Sequence, residues 1–310
     1  MECPVMDLLE VPMPYLSLFA VVLFSALQVS SIKFFNMKYN RKTSDSVIFY
    51  CFIAFLAALV FFAVSGFSFN VSALTFGLAI IFGFSFTLTV TSLLKAIQCG
   101  SLALTNLIMG FGTILPVLFG VAFLKEKFEY THIIGFVLFV TTIVLSAFSG
   151  ETRKATDEKH RSVSCKWLIC SLLAFLGNGI SSTLLKYHQF KQPGSQTFEF
   201  MWVGFSTVTA IYMAYILILK FRKDDLDFSV IKSKGLLLNA VLCGIFTAFQ
   251  NYGTLYLSST ASAIIVFPSI GAGSIIMTSL VTVLYFKEKM NFKILLCIFI
   301  GICGVVILNI

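Results

Sequence analysis

The side chains that could do chemistry in this 310-residue sequence separate by position before they separate by type. All fourteen carboxylates lie in polar segments or at the ends of long apolar runs, and none sits at the middle of a run. His132, His160 and His188 are far apart and also fall in loops or at run ends. No HExxH, GxSxG or GxxxxGK[ST] occurs, and no Cys/His spacing suits a metal ion. The sequence therefore offers no catalytic residue, no metal site and no cofactor site, and an enzyme is not expected. The polar groups left inside the runs are uncharged. Gln28, Asn106, Thr113, Asn178, Gln250, Asn251, Tyr252 and Ser269 are the candidates for contact with a small-molecule substrate. An amide in lipid must find hydrogen-bond partners, and a water-lined cavity supplies them. The competing reading is packing, with hydroxyls bonding back to their own helix and Tyr252 serving as a packing aromatic. Glu199, near the start of an apolar run, is the candidate for ion coupling. Its alternative is an interfacial carboxylate favoured by a helix N-terminus.

These residues are carried by a chain that only lipid can solvate. It is 58 % hydrophobic and 12 % charged, with 35 Phe and a mean hydropathy of +0.95, where a soluble domain carries about 25 % charged residues. The net charge of +8 would suggest nucleic acid in a soluble protein. Here the lysines stand between apolar runs, where loops meet lipid head groups, so the expected partner is the bilayer and not nucleic acid. The eight cysteines are scattered as small packing residues. The first apolar run is preceded by acids and no basic residue, unlike a secretory signal.

Ten spans are expected, at roughly 14–35, 46–65, 71–94, 101–124, 131–149, 166–186, 197–219, 235–257, 260–286 and 292–309. Unbroken apolar runs of this length read as helices, because a spanning barrel would alternate over ten-residue strands. The expected class is an all-α membrane protein. The charged segment at 151–165 separates residues 1–150 from 166–310 as a linker between two five-helix repeats. An odd number of helices per repeat inserts the second copy upside down. Of 22 basic residues, 18 lie beside the loops that follow helices 1, 3, 5, 7 and 9, which places the linker in the cytoplasm and both termini outside.

The halves echo each other. FSALQVSS at 24–31 parallels FLGNGISS at 175–182, and two Lys-Glu-Lys triplets end matching runs 162 positions apart. Pro116 and Pro268 are expected to break helices 4 and 9, which would free backbone groups for a substrate. Glu126 and Glu288, inside the triplets, are expected to cap the helix that follows each.

Pro116, Glu126 ten positions on and Gly135 nine further, with Glu288 and Gly304 repeating part of the pattern, resemble the EamA-like branch of the drug/metabolite transporter superfamily. The second half departs at Thr278 and Cys297, and the first at Thr142. The resemblance implies ten helices in two inverted five-helix repeats, a central cavity lined mainly by helices 1, 3, 4, 6, 8 and 9, and helices 5 and 10 as peripheral supports. It also implies secondary transport by alternating access. It leaves the cargo open, and family members are usually drawn with cytoplasmic termini.

The expected function is transport of a small neutral or zwitterionic metabolite across a cell membrane. The excess of Lys over Arg hints at a prokaryotic inner membrane. A multidrug exporter of the same superfamily is the alternative, and a non-transporting scaffold or receptor is the alternative from another class. Helices 5 and 10 are the candidate contact for a homodimer.

Overall fold

In a computed structural model of the chain, the structure describes residues 15–38, 43–99, 105, 108–127, 129–149, 165–221, 234–286 and 292–308. The described residues form ten α-helices and no strand. They are α1 (Tyr15–Lys38), α2 (Thr43–Val64), α3 (Ala73–Cys99), α4 (Ile114–Leu124), α5 (Tyr130–Ser149), α6 (Cys165–Lys191), α7 (Thr197–Phe221), α8 (Lys234–Thr260), α9 (Ala263–Phe286) and α10 (Phe292–Leu308). Six of them (α1, α2, α3, α6, α7 and α8) are long and apolar enough to cross a bilayer. The other four are apolar but contribute shorter spans among the described residues. The segment expected at 151–165 lies almost wholly outside the described residues.

Every backbone N–H and C=O in hydrocarbon must be satisfied within its own segment, so these sequences become helices whatever their intrinsic propensity. Turns close them by left-handed residues. Lys125 (φ 55°) follows α4, and the Glu126 N–H returns to Gly120 O at 3.1 Å, so a left-handed residue closes the helix end. Phe67 (φ 60°) and Gln196 (φ 49°) serve the α2–α3 and α6–α7 turns. Proline acts differently at its two sites. Pro116 lies in the first turn of α4, where its missing N–H would be unpaired anyway, and a 3-10 turn at Phe111–Thr113 precedes it. α9 runs through Pro268 without interruption. The expected break in helix 9 is thus absent, and Pro268 removes one hydrogen bond from an otherwise continuous helix.

The main packing partners are α3 with α6, α5 with α10, α2 with α7, and α1 with α8. α7 also packs on α3, α8 on α2, α9 on α1, and α4 on α6. The largest core joins α2, α3 and α7 through Phe61, Phe82, Phe200, Phe205 and Tyr212. Phe205 stacks near Phe61, Phe82 and Phe86 with centroids 5.5 to 6.0 Å away. The apolar side chains left outside, such as Phe84, Leu217 and Phe299, have lipid as their solvent.

Lipid offers no hydrophobic force to press helices together, so close approach depends on small residues. Gly177 of α6 lies against α3, where an added Cβ would stand 2.5 Å from Thr89 Oγ1 and 2.8 Å from the Ser85 carbonyl. The Gly77 side of α3 has nothing within 4 Å. Gly177→Ala should therefore lower stability by about 1–3 kcal/mol. Gly77→Ala should be neutral or stabilise by up to about 1 kcal/mol. Thermal unfolding of the detergent-purified variants separates the two.

Candidate functional site

A narrow hollow lies among α1, α2, α3, α7 and α8, with about 20 Å³ of space, room for about one water molecule. It sits toward the end of the bundle at which α1 finishes and α2 begins, since Tyr50 is in the first half of α2 and Tyr212 in the second half of α7. Its polar wall comprises Gln28, Tyr50, Tyr212, Cys243 and Thr247, and its apolar wall includes Ile32, Phe86 and Phe205. No charged side chain lines it.

Part of that wall is tied together. Gln28 Nε2 donates to Thr247 Oγ1 at 2.8 Å, and Thr247 Oγ1 donates to the Cys243 carbonyl at 2.7 Å. This joins α1 to α8 and fixes the amide. Cys243 Sγ also donates to the Gln28 carbonyl at 3.9 Å, a second tie between α8 and α1. The buried Tyr212 hydroxyl has no hydrogen-bond partner. An unpaired polar atom in a closed site costs about 1–3 kcal/mol. Such groups are retained where water or a ligand meets them.

Of the eight residues expected to contact substrate, Gln28 alone lines the hollow among those described. Asn178 Nδ2 instead donates to the Met109 carbonyl at 3.2 Å, bracing the residues just before the 3-10 turn. Thr113 Oγ1 bonds back to Gly110 O at 2.9 Å. Asn251 Nδ2 donates to both Thr247 O and Gln250 Oε1 at 2.9 Å, and Gln250 Nε2 lies 3.5 Å from Thr254 Oγ1. Tyr252 stacks on Phe198 at 5.1 Å, a packing contact. Ser269 is fully buried in α9 and does not line the hollow. Glu199, in the first turn of α7, is half-buried and makes no hydrogen bond or ion pair among the described residues. Asn106 and Glu288 lie outside the described residues. The hydroxyl-rich second half of α3 is also self-satisfied, with Thr87, Thr89 and Thr91 each bonding the carbonyl four residues back.

The bundle is sealed at the opposite end. Glu126 Oε1 lies 2.9 Å from Lys186 Nζ, both side chains being about one-tenth exposed. The Glu126 carboxylate accepts the first N–H of α9, at Ala263, with Oε2 at 2.8 Å. Lys186 donates to the carbonyls of Ala261 at 2.7 Å and Ser258 at 3.2 Å, beside the end of α8. Each charge thus meets the helix end of opposite polarity. Glu126 was expected to cap the helix that follows it, α5. It caps α9, 137 positions away. Gly120 makes room, since a Cβ there would stand 2.5 Å from Glu126 Oε2.

A second network closes the neighbouring turns. Thr75 Oγ1 lies 3.2 Å from His188 Nε2 and donates to Gln192 Oε1 at 2.6 Å, and Gln192 Nε2 donates to Ser72 Oγ at 3.0 Å. The Ser72 N–H donates to Gln196 Oε1 at 3.0 Å, joining the α2–α3 and α6–α7 turns.

The family model described as "Sugar transport protein" matches residues 20–310. The chain belongs to the sugar transport protein family. It is therefore a multi-pass membrane transporter, in keeping with its apolar helices. No curated protein matches the chain. A solved structure described only as "Crystal structure of protein" is similar over 94 % of this chain and 94 % of its own, with a TM-score of 0.70. Its sequence identity is 16 %, so the likeness is one of fold.

Three residues of this family member escaped the sequence reading. Tyr50 and Tyr212 carry a hydroxyl into the middle of apolar helices, which is the signal that could have found them. Lys186 lies within the same α6 run and could have been recognised as a cation too far from a helix end to be interfacial. Removing one partner of a buried ion pair leaves the other charge stranded, at about 3–5 kcal/mol. Lys186→Met should therefore destabilise the protein by about that amount, and Glu126→Gln in the same chain should recover a large part. Unfolding temperatures of the single and double variants test the coupling. Additive losses would contradict it.

Proposed function

We propose that this transporter carries a small neutral or zwitterionic metabolite by alternating access, and that a sugar, the cargo its family description names, is the first to test. The observation that carries the reading is a hollow lined with amide, hydroxyl and phenol groups and no charge. A lipophilic cation would call for a buried carboxylate, which disfavours the multidrug alternative.

The two-repeat organisation, residues 1–150 and 166–310 joined by 151–165, is supported by the packing pattern. Exchanging α1–α5 with α6–α10 turns the α1–α8 contact into α6–α3, α3–α7 into α8–α2, and α1–α9 into α6–α4, and each of these pairs packs. The pairs α2–α7, α4–α9 and α5–α10 map onto themselves, and they pack as well. Ten helices entering in opposite senses from two such halves would place a pivot at their meeting line.

In this reading the structure is a conformer closed at the Glu126–Lys186 end. By the basic-residue bias that end faces outside, so the hollow inclines toward the cytoplasm. Passage of cargo from outside requires the Glu126–Lys186 contact with α8 and α9 to part. The charges would then exchange one another for water, which makes opening a two-state event.

Uptake into proteoliposomes across a panel of sugars, amino acids and cationic dyes tests the proposal, with and without a pH gradient. Saturable sugar uptake indifferent to the gradient is expected, and Gln28→Ala should reduce it about tenfold or more by freeing Thr247 and removing the fixed amide. Transport confined to cationic dyes, or gradient-driven uptake lost on Glu199→Gln, would contradict it.

A further inference from the structure

We infer that the buried ammonium of Lys186 occupies a monovalent-cation site at the break between α8 and α9. This end of the bundle thus carries its own cation and takes none from solution. The site itself stands without reference to cargo, and only its consequence for coupling rests on the transporter reading above.

Three oxygens surround Lys186 Nζ. They are Glu126 Oε1 at 2.9 Å and the carbonyls of Ala261 at 2.7 Å and Ser258 at 3.2 Å. An ammonium has three hydrogens to donate, and three acceptors lie within their reach. The carbonyls come from the end of α8, where the last turn of a helix has acceptors without partners and a partial negative charge. Carbonyls at a helix C-terminus are the ligands that membrane transporters offer to a coupling cation. The spacing is wider than the shells of magnesium and calcium, which lie at about 2.0–2.6 Å. A single carboxylate balances a single positive charge.

The oxygens are held in place independently of the lysine. Both oxygens of the Glu126 carboxylate accept the Ala263 N–H, Oε1 at 3.1 Å and Oε2 at 2.8 Å. The carbonyls belong to the backbone of α8 and the turn that follows it. Shortening Lys186 to alanine would therefore leave a fixed carboxylate and two carbonyls facing a vacated space. A buried charge without a partner is strongly unfavourable, and a cation from solution would relieve it.

The consequence for transport follows from the covalent stem. An ion that binds and leaves ties cargo movement to its own gradient. An ammonium on a side chain moves only with α6, so opening of this end draws on no cation gradient.

Thermal unfolding of the full chain in lipid nanodiscs tests the inference. Sodium, potassium and choline chloride are compared at one ionic strength, so that screening is constant. The wild type should unfold at the same temperature in all three. Lys186→Ala should unfold at least about 2 °C higher in sodium or potassium than in choline, which is too bulky for the vacated space. The gain should vanish when Glu126→Gln is added, because the carboxylate is then lost. Lys186→Gln provides the same comparison should the alanine variant fail to fold. An unfolding temperature indifferent to the cation in the Lys186 variants overturns the inference. So does a gain that survives Glu126→Gln, or a wild type stabilised by either metal to the same extent. Absence of sugar uptake by the wild type would count against the transporter reading and leave the cation site standing.

Discussion

A carboxylate and an ammonium buried side by side hold one end of this bundle together. Glu126 arrives from the α4–α5 turn and Lys186 from α6, yet both act on the break between α8 and α9. The α8 end presents carbonyls without partners and the α9 start presents N–H groups without partners. A single ion pair answers both, and it does so where the surrounding medium is poor in water and electrostatics is strong. Four helices from both halves of the chain are thereby fixed at one point. The His188–Thr75–Gln192–Ser72 network does the same for the adjacent turns, without charge.

The opposite condition holds in the hollow. Along α3, α6 and α8 the hydroxyls mostly bond to their own helices, and the amides of Asn178, Gln250 and Asn251 find partners inside the protein. Among the described residues, buried polar atoms of Ser171, Ser181, Trp202, Tyr212 and Ser274 lack partners, and of these only the Tyr212 hydroxyl borders the hollow. An unpaired buried hydroxyl costs stability and is retained where water or a ligand meets it.

The helical class, the helix count and the order of the segments were legible from the sequence, because hydrocarbon forces long apolar runs into helices. The recurrence of Lys-Glu-Lys and the small-residue stripes pointed to close helix packing, and Gly177 meets α3 as such a residue should. The site was much less legible. Gln28 was singled out because an amide among apolar residues must be satisfied somewhere, and it borders the hollow. The same logic singled out Asn178, Gln250 and Asn251, whose partners lie on a neighbouring turn or helix. Tyr50 and Tyr212 were not singled out, because a tyrosine within an apolar run gives no sign of where its hydroxyl lands until the helices are packed. Glu126 was placed correctly at a turn, but a cap reaching across 137 positions follows from tertiary packing, which no local spacing encodes. Pro268 shows the same limit from the other side, because a helix packed in lipid can lose one hydrogen bond and continue.

The central claim is that the two halves meet around an uncharged hollow and part at the Glu126–Lys186 end to admit cargo. Spin labels at Lys127, beside that pair, and Ala261, in the α8–α9 turn, report the separation directly by pulsed electron resonance in nanodiscs. Two resolved distances are predicted, with the longer population changing when a transported sugar is added. One narrow distance, identical with and without every transported compound, would contradict the account.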